Sequence, residues 1–361
     1  MKNRVGIGVI GTGFARRVQI PAFLTSKHAF IASVSSATQE NAQAAADEFG
    51  IGHFSTNWRD TIEHPEVDLV CITTPPKYHH EMTLTAVAAG KHVLCEKPMA
   101  MSVAEAEEMT VRANEARVLA LIDHELRFQA GRQLAYRMLR QGTVGKVRHV
   151  KYVFQAPHRG NPHIPWNWWS DVEMGGGVLG AIASHIVDSF HWFLGVDVSS
   201  VHCQLQTHIK MRKDEHGAGR RVTSDDQSNM IFRFCDGELT EDATGLASVS
   251  IVDGPSYRNG LEIFGHEGVI RLTHRGEVYT ASQGENEWAK IETDSGVNID
   301  GVPDTGFARG FMAFAPQIVD AILDGKNEIE YAATFEDGLR VQRVLDAARR
   351  SDREQRTIAI N

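Results

Sequence analysis

The chain has 361 residues, a formal net charge of −9, 42% hydrophobic and 23% charged residues. This length predicts two domains, or three at most, and the composition excludes a disordered or fibrous protein. Nucleic-acid binders need a concentrated positive surface, which a net negative chain without a basic tail does not supply. We therefore expect a globular protein that does not bind nucleic acid.

The cysteines and the hydropathy of the chain indicate the cellular compartment of the protein. Four cysteines lie far apart with no CxxC pair, which favours reduced thiols over disulfides. The N-terminal segment lacks the long apolar region and the cleavage site of a secretory signal, and no run approaches the ~18 apolar residues of a membrane span. The sequence predicts a cytoplasmic protein with no membrane partner.

Short apolar runs alternate with helical patterns over the first third of the chain. Ser102 and Glu105 form a capping-box pattern at the start of one such helix. Strands that alternate with crossover helices predict an α/β fold with a doubly wound parallel sheet, which we assign to residues 1–125. The predicted buried strands are Val5–Ile10, Phe30–Val34, Val67–Thr73, His92–Cys95 and Val118–Ile122.

The pattern changes after residue 125. A glycine run, Gly175–Gly177, precedes a helical pattern over Val178–Leu194. From about residue 201 to 291, strand-like runs are separated by Gly, Asp and Asn turns, which predicts a mostly antiparallel sheet. Phe307–Leu323 and Phe335–Arg349 predict terminal helices. We assign residues 126–361 to a second domain of α+β type.

Gly11-Thr12-Gly13 follows the first predicted strand and precedes a helical pattern. Glycine permits the tight turn and lets the backbone approach a diphosphate, while the helix N-terminus offers free N–H groups to that anion. We therefore predict a nicotinamide dinucleotide site that includes Gly11, Gly13, Phe14 and Ala15. The third glycine of the usual fingerprint is Arg16 here.

The end of the second strand leaves the choice of dinucleotide open. It reads Ser35-Ser36-Ala37-Thr38, with neither the acid that holds the ribose 2′-hydroxyl of NAD nor an arginine for the 2′-phosphate of NADP. Ser36 is able to bond either group. The expected cofactor is NAD or NADP.

The segment Lys91–Pro98 carries the most chemical information. Lys97 follows a predicted parallel strand, at the edge where α/β sheets bind their ligands. Glu96 beside it can orient or partly neutralise the ammonium. Pro98 fixes the local backbone through a trans or a cis bond.

In combination, five segments resemble the Gfo/Idh/MocA oxidoreductases, which include glucose–fructose oxidoreductase and inositol dehydrogenase. They occur in the family's order over nearly the whole chain. The segments are Gly11–Gly13, Thr74-Pro75-Pro76 with His79, Ala89–Val93 leading into Glu96-Lys97-Pro98, Gly175–Leu179 followed by His185, Asp188 and Trp192, and Phe335–Gly338.

The resemblance implies a Rossmann domain joined to a domain with a large open sheet that forms a homodimer or homotetramer interface. It implies hydride transfer between NAD or NADP and a ring hydroxyl or ketone of a sugar, sugar derivative or cyclic polyol. Lys97 would bind the substrate oxygen and His185 would be the general acid/base. The residues that would border the nicotinamide ribose are Thr74, Pro75, His79 and Glu96.

These roles suit the chemistry. Oxidation of an alcohol removes a proton from oxygen, which an imidazole can accept near neutral pH, and an adjacent ammonium stabilises the developing alkoxide. We expect Lys97 and His185 to act on the same oxygen. Many family members carry an aspartate where this chain has Ala181. Either the two residues suffice, a group among Asp123, His124 and Glu125 takes over, or catalysis is lost.

Further residues have two interpretations each. Arg127, which follows Glu125 closely, is a substrate contact or an arginine paired with an acid at the domain joint; we include both residues among the candidate substrate contacts. Three tryptophans in four residues suit stacking on a sugar ring or a packed plug, and we select Trp166 and Trp168 for the first role. No HExxH, His-x-His or Cys/His cluster is present, so no metal is predicted.

Two other functions fit the same motifs. One is a nicotinamide-binding regulator without turnover, which Ala181 favours and the retention of Lys97 and His185 opposes. The other is reduction of an unsaturated or imine substrate, which demands less from His185. Nicotinamide absorbance across a sugar and polyol panel distinguishes them from the dehydrogenase.

Overall fold

A computed structural model describes residues 3–294, 296 and 299–360. Its strands are β1 Val5–Ile10, β2 Ala29–Ser35, β3 Phe54–Ser55, β4 Leu69–Ile72, β5 His92–Cys95, β6 Ala120–Ile122, β7 Val147–Gln155, β8 Val198–Gln206, β9 Met211–Lys213, β10 Gly219–Arg221, β11 Gln227–Phe234, β12 Thr240–Ser250, β13 Arg258–Gly265, β14 Gly268–Leu272, β15 Val278–Ser282, β16 Ala289–Ile291, β17 Ala333–Thr334 and β18 Ile358–Ala359. Its α-helices are α1 Ile20–Phe23, α2 Gln39–Phe49, α3 Trp58–Glu63, α4 His79–Ala88, α5 Val103–Ala116, α6 Ala130–Arg140, α7 Ser184–Leu194, α8 Gly306–Leu323 and α9 Phe335–Glu354.

The chain divides into two compact units. The first contains Met1–Gln129 and Gly296–Leu339, and the second contains Ala130–Ser295 and Arg340–Asn361. The sequence predicts a single domain boundary after residue 125, with all later residues in the second domain. The structure differs, because α8 and β17 complete the first unit: Phe314 of α8 stacks on Phe128 with ring centroids 4.1 Å apart, and β17 pairs with β6.

The first unit is built on a seven-stranded sheet in the order β17-β6-β5-β4-β1-β2-β3. All neighbours are parallel except the β17–β6 edge pair. Every residue of β1 is buried, because a parallel sheet covered by helices on both faces needs apolar side chains on both sides. The predicted doubly wound parallel sheet is confirmed.

The strand order defines where this sheet opens to a ligand. From β1 the chain continues to β2 and β3 on one side and then crosses to β4 on the other. Ligands of such sheets bind outside the carboxyl ends of the strands at this reversal. The carboxyl ends of β1, β4, β5 and β6 therefore form the candidate edge of the first unit.

Local capping follows the sequence signals. Thr38 accepts a hydrogen bond from the Asn41 N–H at the start of α2, and Ser102 accepts one from the Glu105 N–H at the start of α5. The Ser102 cap confirms half of the expected capping box. The Glu105 carboxylate accepts the Met101 N–H rather than that of Ser102.

The second unit contains a nine-stranded sheet in the order β16-β15-β14-β13-β7-β12-β11-β8-β18. It is antiparallel apart from the β12–β7 pair, which confirms the mostly antiparallel prediction. Helix α7 covers one face, where Phe190 makes edge-to-face contacts with Phe232 and Phe234. Among the described helices of the whole chain, none is long and apolar enough to cross a membrane.

Candidate functional site

The Gly11–Gly13 turn lies at the carboxyl end of β1 and precedes a π-helical segment, Ala15–Gln19. Gly11 has a φ of +95°, and a Cβ there would lie 2.7 Å from the Thr73 carbonyl oxygen. A Cβ on Gly13 would meet no described protein atom within 4 Å. Gly11 is therefore required by the fold, while Gly13 leaves open space above the helix start.

This geometry fits a dinucleotide. A diphosphate needs a helix N-terminus with room for close approach of the backbone, and the space at Gly13 provides it. Thr12 Oγ1 lies 3.2 Å from Ser36 Oγ, so the turn is tied to the end of β2, where the adenosine ribose is held in such folds. Phe14 is half-buried and Ala15 is buried; contact of these two residues with the dinucleotide stays a prediction.

An open depression of about 490 Å³ adjoins the turn. The Arg16–Glu48 ion pair, which is exposed to solvent, lies on its wall. The other two depressions described in this unit lie away from the candidate edge; one of them surrounds Val5 and His92, at the amino ends of β1 and β5. The lining residues of the first depression are Thr12, Gly13, Arg16, Arg17, Pro21, Glu48, Phe49, Asp300, Gly301 and Val302.

Glu96 and Lys97 directly follow β5, and the Lys97–Pro98 peptide bond is cis. Lys97 Nζ lies 3.7 Å from Glu96 Oε2, and the Lys97 backbone N–H donates to the same oxygen at 3.2 Å. Burial raises the pKa of Glu96 above its ordinary value, and the Lys97 ammonium partly offsets this effect. The carboxylate thus holds the ammonium at the predicted edge of the sheet.

His79 lies in the interior of the first unit, and its place beside the nicotinamide ribose stays a prediction. Its side chain is completely buried, with Nδ1 3.0 Å from the Pro98 carbonyl oxygen and Nε2 2.9 Å from that of Thr74. Burial is the largest cause that lowers its pKa to about 4, and the hydrogen bonds to the backbone act in the opposite direction. A neutral ring donates to only one of these two oxygens. His79 connects the Thr74-Pro75 loop to the cis bond after Lys97, and Thr74 and Pro75 themselves are half-buried at the edge.

Beyond β6, the chain places two acids in the interior of the first unit: Asp123 and Glu125 are both buried. Burial is the largest cause of an Asp123 pKa well above its ordinary value, followed by the charges of Glu125 and Glu96. Gln19 donates from Nε2 to Asp123 Oδ2 at 2.8 Å. Sequence reasoning missed Gln19; the available signal was a polar residue inside an apolar helical run.

Arg127 has the acid partner that one interpretation requires. Its Nη2 lies 3.4 Å from Asp337 Oδ1, and its Nη1 lies 3.4 Å from the Tyr331 carbonyl oxygen. Asp337 comes from the Phe335–Gly338 stretch that the sequence also singled out. All of these residues belong to the first unit, so the pair stabilises that unit. A substrate contact of Arg127 stays a prediction.

In the second unit, His185 is buried near the start of α7. The Ser189 hydroxyl donates to the His185 carbonyl oxygen at 2.6 Å. The preceding segment Leu179–Ala183, which contains Ala181, is π-helical. π-helical insertions are frequent at functional sites.

The glycine run before this segment makes room for Asp225, which sequence reasoning missed. Gly177 has a φ of +110°, and a Cβ there would lie 2.2 Å from Asp225 Oδ1. Asp225 Oδ2 accepts the Leu179 N–H at 2.8 Å. Burial is the main cause that raises the Asp225 pKa to about 6.

The three clustered tryptophans, Trp166, Trp168 and Trp169, are half-buried in the second unit. Trp166 packs on the β9–β10 hairpin: its Nε1–H donates to the Arg221 carbonyl oxygen at 3.0 Å, and the Arg220 guanidinium lies 3.5 Å from the ring centroid. Trp168 lies 5.5 Å from Trp169, between ring centroids. One face of Trp166 is thus already covered by protein, and sugar stacking by either ring stays a prediction. Within the described residues, no group of three His, Cys, Asp or Glu side chains is arranged to hold a metal ion.

Comparison with known proteins agrees with this geometry. Residues 5–124 match the oxidoreductase family with an NAD-binding Rossmann fold, and residues 133–271 match the GFO/IDH/MocA C-terminal domain. The predicted nicotinamide dinucleotide cofactor is thereby confirmed.

Individual relatives extend the match. Glucose-fructose oxidoreductase domain-containing protein 2 of Xenopus laevis is 30% identical over 98% of this chain and 93% of its own. The 1,5-anhydro-D-fructose reductase of Ensifer adhaerens is 34% identical over 73% and 74%. A solved levoglucosan dehydrogenase in complex with NADH and levoglucosan has the same fold, with a TM-score of 0.88 over 99% of both chains at 24% identity. The chain therefore belongs to the Gfo/Idh/MocA family of NAD-binding oxidoreductases.

Proposed function

We propose that this protein is an NAD(P)-dependent dehydrogenase or reductase that acts on a ring hydroxyl or ketone of a sugar, sugar derivative or cyclic polyol. The Glu96–Lys97 pair carries the proposal, because it holds an ammonium at the ligand edge of the parallel sheet. Relatives named for 1,5-anhydro-D-fructose and levoglucosan support a sugar as the substrate.

In this proposal the chain binds, orients and exchanges protons. The open space at Gly13 receives the diphosphate, and a bound nicotinamide dinucleotide supplies the hydride acceptor or donor. Lys97 donates a hydrogen bond to the substrate oxygen and stabilises its negative charge. His185 removes or returns the proton on that oxygen.

Substrate turnover tests the proposal. Absorbance of NADH and NADPH is followed with levoglucosan, 1,5-anhydro-D-fructose, common aldoses and cyclic polyols. Lys97→Ala and His185→Ala should each lower kcat by about 10²-fold or more while NADH still binds. The exposed Lys77→Ala and His216→Ala are matched controls and should keep wild-type rates. Tight NADH binding without turnover of any panel member would instead support a regulator.

We further propose that the end of β2 admits both dinucleotides. Ser36 is half-buried, tied to Thr12, and carries no charge that would attract or repel a 2′-phosphate. Ser36→Asp should weaken NADPH binding at least tenfold and leave NADH binding near wild type, because a carboxylate repels the phosphate. Isothermal titration measures the ratio of the NADPH and NADH dissociation constants. The same ratio in Ser36→Asp and the wild type would contradict a position of Ser36 beside the adenosine ribose.

The open face of the second sheet supports a homodimer or homotetramer. Val153, Ile231 and Leu246 are exposed apolar residues on neighbouring central strands, and such a patch favours association of identical copies. Ile231→Asp should lower the mass measured by light scattering, whereas Val111→Asp, at an equally exposed valine of α5, should not. Four free cysteines agree with a cytoplasmic location, which we also propose.

A further inference from the structure

Two neighbouring arginines of the second unit have only uncharged partners. Arg159 follows β7, in the segment that leads to the clustered tryptophans, and Arg212 is on β9. Among the described residues, the hydrogen-bond partners of both side chains are neutral oxygens. Two guanidinium groups that are partly withdrawn from water repel each other, so an anion bound beside them would stabilise the pair.

Arg212 has a structural role in this pair. Its side chain is buried, Nη2 donates to the Arg159 carbonyl oxygen at 2.6 Å, and Nη1 donates to that of Asn161 at 2.8 Å. Burial lowers the pKa of Arg212, and the charge of Asp226 acts in the opposite direction. The Asp226 carboxylate does not pair with Arg212, because both of its oxygens accept the His208 N–H. Arg212 thus holds the backbone at Arg159 and adds a positive charge there.

Arg159 is half-buried and keeps hydrogen-bond donors for a ligand. Its Nη2 lies 3.4 Å from both Asn167 Oδ1 and Ser170 Oγ, and the Asn167 oxygen already accepts the Trp169 N–H at 3.1 Å. Within the described residues, Nε and Nη1 of Arg159 have no hydrogen-bond partner. Burial, followed by the charge of Arg212, lowers the pKa of Arg159 to about 10, so the group is still a cation at pH 7. Guanidinium groups form their strongest hydrogen bonds with anionic oxygens, which the chain itself does not supply here.

The segment that surrounds Arg159 packs at the start of the helix that carries His185. The Asp171 carbonyl oxygen accepts the Gly176 N–H at 2.9 Å, and a Cβ on Gly176 would lie 2.5 Å from the Trp169 carbonyl oxygen. Gly176 precedes the π-helical segment and α7. The guanidinium carbon of Arg159 lies 5.5 Å from the centroid of the Trp169 ring. One part of the second unit therefore combines a cation that has available donors with aromatic surface and the approach to His185.

We propose that Arg159 binds a carboxylate of the sugar substrate, so that this protein acts on acidic sugars of the uronate class. The inference rests on the proposed function and names its substrate class. A carboxylate carries one negative charge, which matches the one guanidinium that has available donors; a phosphate dianion would draw on a second cation, and the Nη groups of Arg212 are already bound to the backbone. The half-buried rings of Trp168 and Trp169 offer apolar surface to the sugar ring.

Binding without turnover tests the charge preference. The protein saturated with NADH, which cannot oxidise a hydroxyl, is titrated calorimetrically with D-glucuronate and D-galacturonate and with the uncharged uronamide of each. The acid should bind about tenfold more tightly than its amide in at least one pair, because the amide loses the charge-assisted hydrogen bond. The absence of a preference in both pairs would overturn the proposal without any variant. Tighter binding of D-glucose 6-phosphate than of either uronate would overturn the choice of a carboxylate.

Variants locate the preference. Arg159→Gln should abolish it, whereas Arg159→Lys keeps the charge and should retain part of it. Arg148→Gln is the matched control, because Arg148 is an exposed arginine of β7 whose partner is also a neutral oxygen, Gln283 Oε1 at 3.5 Å. This control should keep the full preference for the acid. A preference that survives unchanged in Arg159→Gln would refute the assignment of the carboxylate to Arg159.

Kinetics separate this inference from the proposed function. With oxidised NAD and the preferred uronate, Arg159→Gln should raise KM about tenfold and lower kcat by a smaller factor, because Arg159 does not contact the reacting oxygen. A uronate that binds with the expected preference but is never oxidised would contradict the dehydrogenase and leave the carboxylate site standing. Turnover of neutral sugars that matches turnover of uronates in both the wild type and Arg159→Gln would support the dehydrogenase and overturn the carboxylate site.

Discussion

Two glycine-rich segments share one local sequence pattern but differ in what lies beside their glycines. Gly11–Gly13 and Gly175–Gly177 each precede a five-residue π-helical segment. At the first, the space at Gly13 is open to a ligand, whereas at the second the Asp225 carboxylate of the chain itself occupies the helix start beside Gly177. A glycine run before a helix thus indicates an anion at its N-terminus, and tertiary structure decides whether that anion is a ligand or a side chain.

The largest expected effect is on the second segment. Gly177→Ala introduces a Cβ 2.2 Å from Asp225 Oδ1 at a φ of +110°, so we expect a loss of about 3–4 kcal/mol in the free energy of unfolding, because both a clash and an unfavourable backbone conformation result. Urea denaturation measures it. Gly217→Ala shares the positive φ but meets nothing within 4 Å among described residues and should cost only about 1 kcal/mol. Equal losses would contradict the steric role of Asp225.

The second expected effect is a pH dependence that belongs to Asp225. Its folded pKa of about 6 exceeds the ordinary value of 3.8, so the folded state binds more protons between these pH values. The free energy of unfolding, relative to Asp225→Asn, should therefore fall as pH rises from about 4 to about 6, by at most about 3 kcal/mol. Urea denaturation of the wild type and Asp225→Asn at pH 4 and pH 7 gives this change in the free energy of unfolding. As a control, Asp253→Asn, at an exposed aspartate, should not produce it. A difference that does not change with pH would contradict a raised pKa of the Asp225 carboxyl group in the folded state.

The smallest expected effect is on the first segment and concerns binding rather than folding. Gly13→Val should fill the open space and weaken NADH binding at least tenfold, about 1.4 kcal/mol, while the free energy of unfolding changes by about 0.5 kcal/mol or less. Gly52→Val, also in open surroundings, is the control and should bind NADH normally. Fluorescence titration measures the NADH affinity of each variant. An unchanged NADH affinity in Gly13→Val would mean that the diphosphate binds elsewhere.

The sequence by itself determined five of the parallel strands of the first unit, β1, β2, β4, β5 and β6, because buried parallel strands leave strong, short-range patterns. It did not indicate β3 or α3. It did indicate the glycine turn, Lys97 and the family, since each depends on residues close together in the chain. The parallel sheet and the nicotinamide dinucleotide cofactor were predictable on that basis.

Only tertiary structure decided which distant residues share an environment. Helix α8 is 18 residues of ordinary amphipathic sequence, and nothing in it indicates that it packs in the first unit. Likewise, Gln19 lies 77 residues from Glu96 and 104 residues from Asp123 along the chain, and the ring nitrogens of His79 face the carbonyl oxygens of Pro98 and Thr74. Burial and charge interactions depend on distance in space, which periodicity along the chain does not encode.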